Sequence, residues 1–174
     1  RKLLKEQEIP SGHNSDDYIV ERLECSSHDN RLIPLTITRH KNTPVDGSAN
    51  LLLYGYGSYG SSMTPNFSST RLSLIGRDII WVTAHIRGGM EKGMKWWKEG
   101  KLLNKKNTFE DYIAVAKFLI EKKYTSKGKI IGMGGSAGGL LMGAVVNKNP
   151  ELFKGIVMAV PFVDSLTTNL DHSL

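Results

Sequence analysis

The sequence predicts an α/β fold: a mostly parallel sheet with helices on both faces. Two observations carry this. Short apolar runs lie at 51–54, 79–84, 129–133 and 155–160, and none alternates polar with apolar. Such runs are strands buried on both faces, as in a parallel sheet under helices. Between them lie helical patterns, and strands alternating with helices give right-handed crossovers. No internal repeat or low-complexity tract interrupts the pattern.

The elements follow in order. Residues 1–17 have no strong periodicity, and Pro10, Gly12 and Asn14 read as a loop, so this stretch is expected to be a linker. Residues 18–25 and 32–39 are β-rich runs joined by Ser26, Ser27, His28, Asp29 and Asn30, an antiparallel hairpin with a polar turn. Pro34 fits an edge strand or a bulge. Residues 40–50 hold Asn42, Pro44, Asp46 and Gly47 and read as a loop, and 68–75 suits a short helix. The clearest helix is 108–123. Phe109, Tyr112, Ile113, Ala116, Leu119 and Ile120 share one face at 3.6 spacing. Thr108 with Asp111 gives its start signal, and Lys122 and Lys123 suit its negative end. A further helix spans 137–147, stopping before Asn149-Pro150. Residues 18–174 are therefore expected to form a partial α/β domain, incomplete at its C-terminus.

The composition bounds the function classes. With 174 residues, 40% hydrophobic and 23% charged, the chain can bury a core and is not disordered. The net charge of +6 raises nucleic acid as a partner. Its densest run, Lys92, Lys95, Lys98, Lys101, Lys105 and Lys106 around Trp96 and Trp97, reads instead as a solvated face. No nucleic-acid or membrane partner is expected, since no stretch approaches the roughly 18 apolar residues of a membrane span. The single cysteine, Cys25, excludes an intrachain disulfide and a cysteine-based zinc cluster, and it fits a reducing compartment. The first nine residues are charged and amphipathic, unlike a secretory signal, so a cytoplasmic location is expected. The chain opens on Arg1 and is expected to be a piece of something longer.

Gly134-Gly135-Ser136-Ala137-Gly138 matches G-x-S-x-G, after a strand and before a helix. That context suits a nucleophile: a strained strand-to-helix turn projects the serine hydroxyl at the sheet's C-terminal edge. It also places the Ala137 N–H at a helix start, where it can stabilise an oxyanion. The bland alternative is a glycine-rich turn with an incidental serine. A second motif, Gly55-Tyr56-Gly57-Ser58-Tyr59-Gly60, matches the dinucleotide fingerprint G-x-G-x-x-G. No helix pattern opens after it, and Asp78 precedes the next strand instead of ending it. A loop crossing the sheet top fits better, with Tyr56 either aimed at the reacting centre or packing. No cofactor is expected. His85 and Arg87 follow a strand, but His85 precedes Ser136, against the Ser–acid–His order of such sites, and both read as structural. After Ser136 only Asp164, Asp171 and His172 remain as acids and base. Asp164 and His172 are too close in sequence to sit on loops after different parallel strands, whose crossovers need about 10–12 residues. The usual acid and base are therefore expected elsewhere.

Five ordered segments carry a resemblance: Leu53 to Gly60, His85-Ile86-Arg87-Gly88-Gly89, Asn107 to Tyr112, Gly134 to Gly139, and Val160-Pro161-Phe162-Val163-Asp164. Together they resemble the catalytic domain of the prolyl oligopeptidase family of serine peptidases. The Ser-Ala-Gly-Gly and Val-Pro-Phe-Val-Asp details are most similar to the oligopeptidase B branch. The resemblance implies an α/β-hydrolase fold under a β-propeller, cleavage of short peptides after Arg or Lys, and no cofactor. It makes Ser136 the nucleophile, Tyr56 an oxyanion donor beside the Ala137 N–H, and Tyr59, Thr64 and Asn66 substrate contacts. That branch often has acidic residues at the last two positions, so Thr64 and Asn66 put a dibasic preference in doubt. Met90 stands where the branch usually has glycine. The resemblance puts the propeller before Arg1 and the triad Asp and His after Leu174, so the lone chain is expected to be inactive. Two alternatives stand beside this: a non-catalytic remnant needing a second chain for the missing strands and triad residues, and a nucleotide-binding domain. An esterase on the same fold is a lesser variant.

Overall fold

The computed structural model describes residues 2–6, 8–10, 12–64 and 66–173. Six strands form one sheet in the order β1-β2-β4-β3-β5-β6. β1 (Tyr18–Ser26) and β2 (Leu32–His40) make the expected antiparallel hairpin, and β2 continues antiparallel onto β4 (Ile80–Ala84). From there the sheet is parallel: β4 with β3 (Leu51–Tyr54), β3 with β5 (Ile130–Gly135), and β5 with β6 (Phe153–Ala159).

The helices are α1 (Ser69–Ile75), α2 (Met94–Lys98), α3 (Lys106–Glu121), α4 (Ala137–Lys148) and α5 (Ser165–Leu170). α3 and α4 cover one face. Leu51, Leu53, Ile80 and Val82 point into it and meet Tyr112, Val115, Leu119, Leu141 and Met142. The Tyr112 hydroxyl, fully buried, donates to the Leu53 carbonyl at 2.6 Å, which satisfies a group that would otherwise be costly to bury. Trp81 alternates with Ile80 and Val82 and so points to the opposite face, where the Arg71 guanidinium of α1 lies 4.7 Å from its ring centre.

Two expectations need correction. β2 is an interior strand, so Pro34 is not at an edge. Its carbonyl accepts from the His85 N–H at 2.9 Å, just past Ala84, the last β4 residue in register with β2. The N–H that proline lacks would face the same side, where the ladder has already ended. The long helix begins at Lys106, not Thr108. Thr108 is wholly buried within it and spends its hydroxyl on the Arg87 and Gly100 carbonyls, at 2.8 and 3.2 Å. α2 and α5, too short for a periodic signal, went unforeseen. No helix among the described residues is long and apolar enough to cross a membrane.

Candidate active site

The strand β5 ends at Gly135 and α4 begins at Ala137, so Ser136 alone makes the turn. Its backbone sits at φ 54°, ψ −117°, a conformation rare for any residue with a side chain. Neighbours hold it there. The Ser136 N–H donates to Ala159 O of β6 at 2.9 Å, and its carbonyl accepts from Gly139 N and Phe162 N, both at 2.9 Å. The side chain is left exposed. The flanking glycines are demanded by contact. A Cβ on Gly134 would collide with the Gly138 carbonyl, and one on Gly138 would lie 2.9 Å from Gly55 O and 3.3 Å from the Tyr56 ring. The helix start thus packs directly on the 55–60 loop.

That packing brings together three residues singled out in the sequence: Ser136, Ala137 and Tyr56. Ala137 is the first residue of α4, where N–H groups have no intrahelical acceptor. Tyr56 is half-buried against Gly138. A cleft of about 320 Å³ opens alongside, walled by Ala137, Leu140, Phe162, Tyr59, Trp97 and Lys105 among others. Thr64 and Asn66 are not part of it. They line a separate cleft of about 370 Å³ with Tyr54, Trp81 and Arg71, so the elbow cleft gathers only Tyr59 of the three candidate substrate contacts. Larger clefts of about 600 and 750 Å³ open elsewhere and touch no elbow residue. No helix opens after Gly60, since α1 starts only at Ser69, so the 55–60 loop lacks the helix start a dinucleotide fingerprint requires.

The other motif residues are spent on structure. Arg87 is 1% exposed and meets two carboxylates: Asp111 at 2.6 and 2.8 Å, and Asp29 at 2.6 and 3.1 Å. Burial works against its charge, but the hydrogen bonds of Asp111 and Asp29 outweigh that and hold the guanidinium firmly protonated. Asp111 also accepts from Ser27 at 2.6 Å, so the network ties the hairpin turn to α3. His85 is equally buried, its Nε2 2.8 Å from the Thr36 hydroxyl and its Nδ1 3.6 Å from Glu91. Asp164 caps α5 by accepting from Thr167 N at 3.1 Å.

Lys105 was missed. Counted in the sequence as one of six solvated lysines, it turns inward and donates to Gly57 O at 2.6 Å and Ser58 Oγ at 2.7 Å. Burial pushes its amine down to about 8. The only signal was its place just before the long helix. Of the other lysines in that run, Lys92 pairs with Glu24, Lys95 with Glu99, and Lys101 lies 3.5 Å from the centre of the Trp97 ring.

A mostly parallel sheet, covered by helices and carrying a strained Gly-x-Ser-x-Gly elbow at a strand end, defines an α/β-hydrolase fold. The prolyl oligopeptidase family profile matches residues 65–174, and the chain belongs to that family. It is 48% identical over its whole length to dipeptidyl aminopeptidase BI of Pseudoxanthomonas mexicana and 45% identical to protease 2 of Moraxella lacunata. It spans only 24% and 25% of those relatives. Among solved structures, oligopeptidase B of Leishmania major superposes with a TM-score of 0.92 at 46% identity, over 96% of this chain and 23% of that one. Oligopeptidase B of Trypanosoma brucei with covalently bound antipain superposes at 0.93 and 38% identity, over 98% and 24%.

Proposed function

We propose that this chain supplies the nucleophile and the oxyanion donors of a serine peptidase that cleaves short peptides after Arg or Lys. One observation carries the reading: the exposed Ser136 elbow, with a helix-start N–H next to it and Tyr56 packed on the same helix. Ser136 Oγ attacks the peptide carbonyl while its proton passes to a histidine base. The Ala137 N–H and the Tyr56 hydroxyl receive the developing oxyanion. The C–N bond then breaks, the amine leaves with that proton, and water releases the acyl group. The likeness to oligopeptidase B and the Ser-Ala-Gly-Gly and Val-Pro-Phe-Val-Asp segments support the basic specificity. A second basic residue is not read at Thr64 and Asn66: both are uncharged, and Arg71 shares their cleft.

The base and its aspartate come from elsewhere. His85 is buried beneath the loop it begins, and Asp164 is engaged as a helix cap. A partner strand, from further polypeptide or a second chain, would find β6 ready. Among the described residues that strand pairs on one side only, and Val157 and Met158 are each 43% exposed. A lone chain that runs as a stable monomer in size-exclusion chromatography speaks against a second chain. The single buried Cys25 agrees with a reducing, cytoplasmic setting.

The test is a chimera in which these 174 residues replace the matching quarter of Moraxella protease 2. The chimera should hydrolyse an Arg-containing peptide amide. Ser136→Ala should lower kcat by more than about 10⁴-fold, and Tyr56→Phe by about 10²–10³-fold. The 174-residue chain alone should not turn over. Retained turnover in the Ser136→Ala chimera overturns the assignment, and turnover by the lone chain overturns the need for an outside base.

A further inference from the structure

We propose that Lys105 is a positioning residue for the oxyanion side of the site, clamping the loop that carries Tyr56 through the Gly57 carbonyl and the Ser58 hydroxyl. Its consequence for the reaction rests on the role given to Tyr56 above. Gly57 and Ser58 directly follow Tyr56, and Lys105 reaches both at 2.6 and 2.7 Å from the turn that leads into α3. The lysine is thus a brace from the long helix to the sheet-top loop. Two neighbours on α3 reinforce the same junction: Thr108 fastens the Arg87 and Gly100 carbonyls, and Asn107 the Glu99 carbonyl.

A lysine used only for solubility would keep its amine in water, and one used only for packing would find a carboxylate. Lys105 does neither. No carboxylate acts on it among the described residues, and its ammonium is directed at two neutral acceptors. Hydrogen bonds from a charged donor are roughly twice as strong as neutral ones, so one ammonium shared between two loop acceptors grips the loop firmly. Lys101 and Tyr59 line the same cleft, and the Phe109 ring centre lies 6.0 Å from the amine. That cleft is also lined by Ala137, so the clamp stands in the wall of the cleft beside the elbow.

The experiment is amide hydrogen exchange on the 174-residue chain, followed at Gly60 and Ser61. Their N–H groups donate within the loop's own network, to Gly88 O at 2.9 Å and Ser58 O at 3.0 Å. Lys105→Met should speed exchange at these two amides by about 10–100-fold and leave β3 and α3 unchanged. Lys105→Arg should restore most of the protection. Unchanged exchange in Lys105→Met, or loosening spread evenly over β3 and α3, overturns the clamp. If Lys105→Met does not fold, Ser58→Ala decides. Removing one acceptor should speed exchange several-fold, and no change overturns the proposal. In the chimera Lys105→Met should lower kcat about tenfold at unchanged KM. An inactive chimera with the clamp intact sinks only the peptidase reading, and an active one without the clamp sinks only this inference.

Discussion

His85 and Ser136 occupy equivalent positions, each one residue past the end of a parallel strand at the same edge of the sheet. Their fates are opposite. Ser136 turns at positive φ, its helix begins at the next residue, and its side chain is left in solvent. His85 lies just past the last residue in register with the neighbouring antiparallel strand, yet its N–H still meets Pro34 and its ring meets Thr36. The difference lies in the turn. A polar residue after a strand becomes available for chemistry only where the backbone reverses at once. Where the chain runs on beside a neighbour, the residue is drawn into the packing. The first loop is then held by the buried Arg87 network, and the second by close backbone contact.

The strongest way to break this contrast is to remove the ion network under the His85 loop. Arg87→Met leaves Asp111 buried with Ser27 and no cation, and should cost about 3–5 kcal/mol in urea unfolding. Cys25, buried between the hairpin and α3 with its thiol pushed up to about 12, should then become reactive toward a thiol reagent in the native buffer. A loss under about 1 kcal/mol would show that the charges do not hold the hairpin. At the other loop the contact is backbone, so Gly138→Val should cost about 1–3 kcal/mol by forcing apart the helix start and the Tyr56 loop. An unchanged thermal midpoint would mean the loop moves freely there.

Alanine substitution compares the two residues directly. His85→Ala should destabilise by about 2 kcal/mol, since it strands the Thr36 hydroxyl and opens a cavity. Ser136→Ala should stay within about 0.5 kcal/mol, because the removed oxygen is exposed. Equal costs at the two sites would remove the distinction. The smallest effect is in pH. Lys105 holds its proton to about 8 when folded and to the usual 10.5 when unfolded, so between those values the unfolded chain binds more protons. Stability should therefore gain a small rising contribution with pH across that window. Lys105→Met should flatten it, and a wild-type curve matching the variant would show that the amine is not desolvated.

Much of this was legible beforehand. The four parallel strands and the helices 69–75, 106–121 and 137–148 were found within a few residues, because burial on two faces and 3.6 periodicity both leave marks in one dimension. Thr108 and Asp111 misled because a capping pair and a buried hydrogen-bonding pair use the same residue types. Pro34 misled because its tolerance depends on where a neighbouring strand stops. Lys105 was unreadable, since an inward lysine and an outward one look alike until the loop opposite is in place.

The sequence by itself determined the order of strands and helices and the place of the serine elbow, since both depend on local patterns of apolar residues and glycine. It also pointed to the family, through motifs in fixed order. Only the tertiary structure decided which polar residues at the sheet edge stay in solvent and which are consumed. That choice turns on contacts between segments tens of residues apart: Thr36 with His85, Asp29 with Arg87, Gly57 with Lys105. A side chain's hydrogen-bond partner is set by which strands become neighbours, and no spacing along the chain encodes that.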